Sequence, residues 1–154
     1  MSLPIRKSPR IPKYDYSSEN YYFITICTHN KNCIFGLPEN RTALGDLTQN
    51  HILKIETHYT GVIVDKFVVM PNHVHMIVVL KHGQRASINH IIGQFKSGVT
   101  REARRKKPGL LIWQRSFHDH IIRNQSSYEK IWLYIENNPI EWKEDCFYQQ
   151  NSNQ

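Results

Sequence analysis

Residues 61–80, GVIVDKFVVMPNHVHMIVVL, decide how this chain folds. β-Branched and aromatic residues fill both ends of the run and Pro71-Asn72 interrupts it once, so it reads as strand, tight turn, strand. Proline presets φ at the first turn position and asparagine suits the second, which gives the antiparallel pairing a local cause. Side chains alternate faces along a strand, so His73 and His75 project from one side, about 6–7 Å apart along the backbone. Two imidazoles at that spacing can converge on one metal ion. A single histidine on an apolar face is ordinarily a hydrogen-bonded core residue. A pair at strand spacing directly after a turn favours ligation.

Around this hairpin the order of elements is strand, helix, strand, strand, helix, strand, helix. Asn20 to His29 is aromatic and β-branched and reads as the first strand. Leu44, Leu47, Ile52, Ile55 and Tyr59 recur near the helical period, which predicts a helix from Ala43 to Tyr59. A second long helix is predicted from Ala86 to Lys107, with Ser87 as N-cap and Ile88, Ile91, Ile92, Phe95, Val99 and Ala103 as its apolar stripe. Pro108-Gly109 ends it. Residues 110–123, LLIWQRSFHDHIIR, read as a fourth strand bent around Gln114-Arg115-Ser116. The last helix is predicted to start at Ser126, with Ser126 and Glu129 as a capping box, and to end before Pro139. The expected fold is α+β: a ferredoxin-like four-stranded antiparallel sheet with two helices, plus a C-terminal helix. Residues 1–19 read as a basic N-terminal arm or a disordered leader, 20–142 as the domain and 143–154 as a polar tail.

The C-terminal helix matters most. Tyr128, Ile131, Trp132 and Ile135 form its core stripe, and Tyr134 and Asn138, an i,i+4 pair, share one flank. On their own these two read better as a packing tyrosine and a helix terminator. Laid against the sheet, they would stand beside the histidines. Imidazole with a hard oxygen donor suits magnesium or manganese better than a closed zinc site. A divalent metal held by His73, His75 and Asn138 would polarise a phosphodiester, and Tyr134 would be the attacking nucleophile. A second polar cluster, His118-Asp119-His120, repeats the spacing and is a rival metal site, although Asp119 faces the other way and no nucleophile accompanies it.

The chain has 154 residues, 40% hydrophobic, enough for one domain with a substantial core. Lys and Arg number 20 against 13 Asp and Glu, a formal net charge of +7, and the pI is near 9.4. Such a surplus favours a polyanionic partner. Between Phe95 and Lys107 six positive charges face one negative, Glu102. Lys96, Arg101, Arg104 and Arg105 are therefore candidate DNA-binding residues, with Arg115 beside the aromatic Trp113 and Phe117. The alternative reading is a solvated helix face and ordinary core aromatics. Cys27, Cys33 and Cys146 fit neither a disulfide framework nor a metal knuckle. No hydrophobic stretch reaches membrane length and no signal-peptide pattern opens the chain, so a soluble, cytoplasmic protein is expected.

Five segments, YYFITICTHNKNCIFG, VVMPNHVHMIVVL, IIGQFKSGVTREARR, IWQRSFHDHIIRN and YIENNP, together resemble the HUH-type single-tyrosine transposases, in particular the REP-associated tyrosine transposases and their insertion-sequence relatives. The resemblance covers most of the chain from Tyr14 to Trp142. It implies a divalent ion on His73, His75 and Asn138, Tyr134 as nucleophile, a 5′-phosphotyrosine intermediate and strand transfer, and single-stranded or hairpin DNA as substrate. Dimeric and monomeric working forms both occur among such proteins, so a homodimer stays open. Two other readings compete: a non-catalytic nucleic-acid-binding module on a ferredoxin-like sheet, and a metal-dependent hydrolase that uses water.

Overall fold

The computed structural model describes residues 20–142. The expected arm (1–19), the expected tail (143–154) and Cys146 lie outside the described residues. Four strands form the main antiparallel sheet: β1 (Asn20–Cys27), β4 (Val62–Met70), β5 (His73–Leu80) and β6 (His118–Ile122), in the order β4-β5-β1-β6. Two-residue strands β2 (Gly36–Leu37) and β3 (Asn40–Arg41) make a separate small hairpin. Helices α1 (Ala43–Leu53), α2 (Ile55–His58) and α3 (Ile88–Arg104) follow in sequence, and α4 (Gln125–Asn137) comes last. The strand order and antiparallel pairing are those of the expected ferredoxin-like α+β fold.

Alternation along the strands sorts side chains into two cores. Tyr22, Ile24 and Ile26 of β1 join Val74, Met76 and Val78 of β5 beneath α1 and α3, where Ile52, Ile88, Ile91, Ile92, Phe95 and Val99 are buried against them. The intervening residues Phe23 and Ile77, with Ile122 of β6, face the other way and meet Ile131 and Ile135 of α4. Truncating one such buried isoleucine costs about 2–5 kcal/mol. Two of them on one short helix therefore hold α4 firmly against the sheet.

One irregularity sets which residues of β4 reach that second face. The register with β5 shifts between Val64 and Lys66, leaving Asp65 as an extra residue. A bulge inverts the alternation beyond it. Val62 and Val64 thus point to the main core, while Lys66 and Val68, opposite Ile77 and His75, point to α4. The side chain of Lys66 lies 4.0 Å over the Trp132 ring and its ammonium pairs with Glu136, while the Tyr128 hydroxyl donates to Asp65.

Several local expectations change. The helix over 43–59 is broken at Lys54, where the backbone carbonyl receives the Thr57 hydroxyl at 2.7 Å as well as backbone N–H groups. Ile52 and Ile55, three apart and on either side of the break, are both buried. Asn124, not Ser126, caps α4, accepting from Ser127 N at 2.8 Å, and Glu129 instead accepts from Gln125 at 3.2 Å. Asparagine outranks most residues at this position, and the extended backbone of Asn124 aims its side chain at the first turn. The fourth strand is confined to His118–Ile122 because residues 110–117 round the end of the sheet, putting Ile112 and Phe117 into the main core. Ser87 caps α3 as expected, accepting from His90 N at 3.1 Å.

Candidate active site

His73 opens β5, directly after the Pro71-Asn72 turn, and pairs across the sheet with Cys27 of β1; His75 pairs with Thr25. Both imidazoles face α4, are 0% and 1% exposed, and their ring centroids lie 4.5 Å apart. Asn138 caps the C-terminus of α4 at 2% exposure and turns its Oδ1 to His73 Nε2 at 3.3 Å. Tyr134, half-buried one turn earlier, stands at 5.2 Å from the His75 ring and edge-on to Phe23 at 6.2 Å. The structure brings His73, His75, Tyr134 and Asn138 into one place.

The hydrogen bonds around His73 assign its tautomer. Asn72 donates through Nδ2 to the Lys31 carbonyl at 3.2 Å, which leaves its Oδ1 facing His73 Nδ1 at 2.8 Å. An amide oxygen only accepts, so Nδ1 carries a proton and donates to Asn72, which leaves Nε2 directed at Asn138 Oδ1. A ring nitrogen and an amide oxygen at that distance can share a hydrogen bond or bind one cation between them. An imidazole nitrogen, an amide oxygen and the neighbouring His75 ring are a suitable donor set for a divalent ion, so the residues fit the expected metal. Among the described residues no three His, Cys, Asp or Glu side chains cluster, and beside the histidine pair the Asn138 Oδ1 lies 3.3 Å from His73 Nε2.

His75 is held from the far side by Thr25, whose hydroxyl lies 2.9 Å from Nδ1. Burial, followed by the nearby His73, pushes its imidazole well below the ordinary value of 6.5. A neutral ring at neutral pH is the form that can ligate. The same displacement makes stability pH-dependent. Because the folded value is depressed, the unfolded chain binds the extra proton first, and stability is lost as pH falls below 6.5. In EDTA, urea unfolding should show a decline of up to about 1.4 kcal/mol per pH unit from this group, and His75→Asn should flatten the slope. Equal slopes for the two proteins would contradict this origin.

The other candidates stand elsewhere. Lys96, Arg101 and Arg104 belong to α3 and Arg105 caps it, on the opposite face of the sheet. Arg101, Arg104 and Arg105 are exposed. Lys96 is occupied: its Nζ donates to the Gln114 carbonyl at 2.7 Å and the Ser116 carbonyl at 3.4 Å. Arg104 donates to the Leu110 carbonyl at 2.9 Å, and Arg115 is exposed on the segment leading to β6. In the rival cluster, His118 and His120 lie on the α4 face, opposite Thr25 and Phe23, while Asp119 is buried on the other side.

Three residues of the site escaped the sequence reading. Asn72 read only as a turn former, although its position beside His73 was visible. Thr25 is a polar residue on an otherwise apolar strand face, a signal whose meaning depended on the pairing with β5. Trp142, which stacks on His73 at 6.0 Å, carried no signal.

Comparison with known proteins places this arrangement in a family. Residues 16–138 match the family described as Transposase IS200 like. An uncharacterized protein of Haemophilus influenzae is 36% identical over 167 aligned positions, spanning 93% of each chain. A REP-associated tyrosine transposase, solved bound to a REP hairpin, is similar in fold with a TM-score of 0.68 and 24% identity, over 86% of this chain and 73% of that one. A putative transposase from Deinococcus radiodurans has a TM-score of 0.50 and 19% identity, over 83% of this chain and 97% of its own. The family match spans both histidines, the tyrosine and the asparagine, and the chain belongs to the IS200-like transposases.

Proposed function

We propose that this protein is a metal-dependent transposase that nicks single-stranded DNA through Tyr134 and transfers the cut strand. The observation that carries the reading is one pocket in which His73 Nε2 faces Asn138 Oδ1 at 3.3 Å and the Tyr134 ring lies against His75. The basic charge of the chain and the hairpin-bound structural neighbour support DNA as the partner. A magnesium or manganese ion held by His73, His75 and Asn138 would neutralise charge on a non-bridging oxygen of the scissile phosphate.

The chain's own residues do the rest. Tyr134 forms the oxygen–phosphorus bond and gives up its phenolic proton. The bond from phosphorus to the 3′-oxygen breaks, and that oxygen leaves with the electron pair and takes up a proton. A 5′-phosphotyrosine and a free 3′-hydroxyl result. Reversal with a different 3′-hydroxyl rejoins the strand without an external energy source. Asn72 and Thr25 keep the two imidazoles in one orientation, and Trp142 and Phe23 exclude water from their faces. Labelled single-stranded DNA incubated with the protein and manganese should yield an adduct that survives denaturation. Cleavage without an adduct would favour water as the nucleophile; binding with no cleavage would favour the non-catalytic module.

DNA affinity should depend on the basic end of α3. Neutralising Arg101, Arg104 and Arg105 together should weaken binding and lower the log–log salt slope, by up to about 0.7 per lost phosphate contact on single strands. Titrations at several salt concentrations read this directly. An unchanged slope would assign that end of the helix to solvent.

A further inference from the structure

The basic end of α3 and the histidine pair occupy opposite faces of the sheet but the same end of it, and one short segment joins them. Trp113 donates its indole N–H to the Lys96 carbonyl at 3.2 Å, while Lys96 Nζ holds the carbonyls of Gln114 and Ser116. Gln114 N in turn donates to the carbonyl of Cys27 at 3.0 Å, and Cys27 is the cross-strand partner of His73. Two residues after Ser116 the chain enters β6 at His118, which is exposed and lies opposite Thr25. Thr25 is the residue bonded to His75. His75, Thr25 and His118 thus form one row across the sheet, with His118 about 10 Å from His75 at two strand spacings. Behind the corner lies an open groove lined by Lys96, Ser97, Thr100, Arg101, Arg104 and Trp113, with no acidic side chain among them.

We propose that a single DNA strand engaged at the active site passes over Thr25 to His118, turns the corner at 113–118 beside Arg115, and ends in the groove of Arg101, Arg104 and Trp113. The inference rests on the DNA-cleavage reading above and adds the path of the substrate. Positive charge along the path is what the phosphates of a single strand require, while Trp113, packed against Phe35 and Phe95 and bonded to Lys96, makes the fixed wall of the groove. A rigid duplex cannot follow a turn around the end of a sheet, whereas a single strand can. Lys96 acts here as a positioning residue, since its ammonium secures the corner instead of facing the groove. His118 is the contact nearest the scissile phosphate, and the arginines are the farthest.

The test uses Tyr134→Phe protein, expected to bind without cutting, and random-sequence fluorescent single strands shortened stepwise from about 20 to about 5 nucleotides. Added to this background, His118→Ala should weaken binding roughly fivefold or more at every length that binds. Arg101→Ala with Arg104→Ala should weaken long strands roughly tenfold at low salt and leave the shortest ones unaffected. His118→Gln, which keeps a hydrogen-bonding side chain at the exposed start of the edge strand, should fall between parent and alanine variant. Equal loss from the arginine change at all lengths, loss at none, or a His118→Ala protein that binds like its parent would overturn the path. These outcomes need no chemistry. A wild-type protein that forms no adduct would remove the proposed reaction while leaving the binding result readable.

Discussion

Tyr134→Phe protein will bind single-stranded DNA as tightly as the parent and will form no covalent adduct with it. The substitution removes one oxygen and keeps the ring, so the contacts to His75 and Phe23 and the packing of α4 persist. Only the atom that would bond to phosphorus is gone. Loss of a nucleophile costs at least about 10⁴-fold in turnover, far beyond any packing effect of a single hydroxyl. Denaturing gels of labelled DNA read the adduct, and anisotropy reads binding on the same samples. Persistence of the adduct would remove Tyr134 from its assigned role. Tyr128 is a poor substitute: its hydroxyl donates to Asp65, and that bond, with burial and the carboxylate charge, pushes its pKa up to about 12. A phenol so held ionises less readily than a free one, and six residues before Tyr134 its ring lies against Tyr21, four residues along β1 from Thr25.

His73→Ala and His75→Ala should each abolish cleavage as well, through a different cause and with a different recovery. Either change removes one imidazole from the pair whose centroids are 4.5 Å apart, leaving two protein donors for an ion. Excess manganese should restore part of the activity of a single variant, which it cannot do for Tyr134→Phe. Asn72→Ala should be milder, weakening manganese binding about 10–100-fold, because it releases the His73 ring without removing the ligand. Manganese titrations of adduct yield, paired with DNA affinity as a control for folding, separate these cases. Full adduct yield from either histidine variant at low metal would show that the pair does not hold the ion.

Much of this arrangement was legible in the chain because it depends on local periodicity. Alternation along residues 73–80 put both histidines on one face whatever the strand paired with, and the i,i+4 spacing of Tyr134 and Asn138 put those two on one flank of any helix. Strand order followed from the succession of elements, since connections between antiparallel strands and helices have few acceptable routes. Even the bulge left a trace: Val62 and Val64 keep one phase and Phe67 and Val69 the other, with Asp65-Lys66 at the join.

Tertiary structure alone decided who stands next to whom across those elements. Thr25 became the partner of His75 only through the register of β1 with β5, and Asn72 could orient His73 only because the Lys31 carbonyl, 41 residues away, claimed its amide nitrogen. The stretch 110–117 looked like strand because apolar residues recur in it, but the end of the main core accepted Ile112 and Phe117 and bent the chain around it. That bend also ties the basic helix on one face to the strand that pairs with the histidines on the other, through Trp113 on Lys96 and Gln114 on Cys27. Periodicity specifies a face; only the packed neighbours specify what lies across it, because a hydrogen-bond partner or a buried contact belongs to two segments at once.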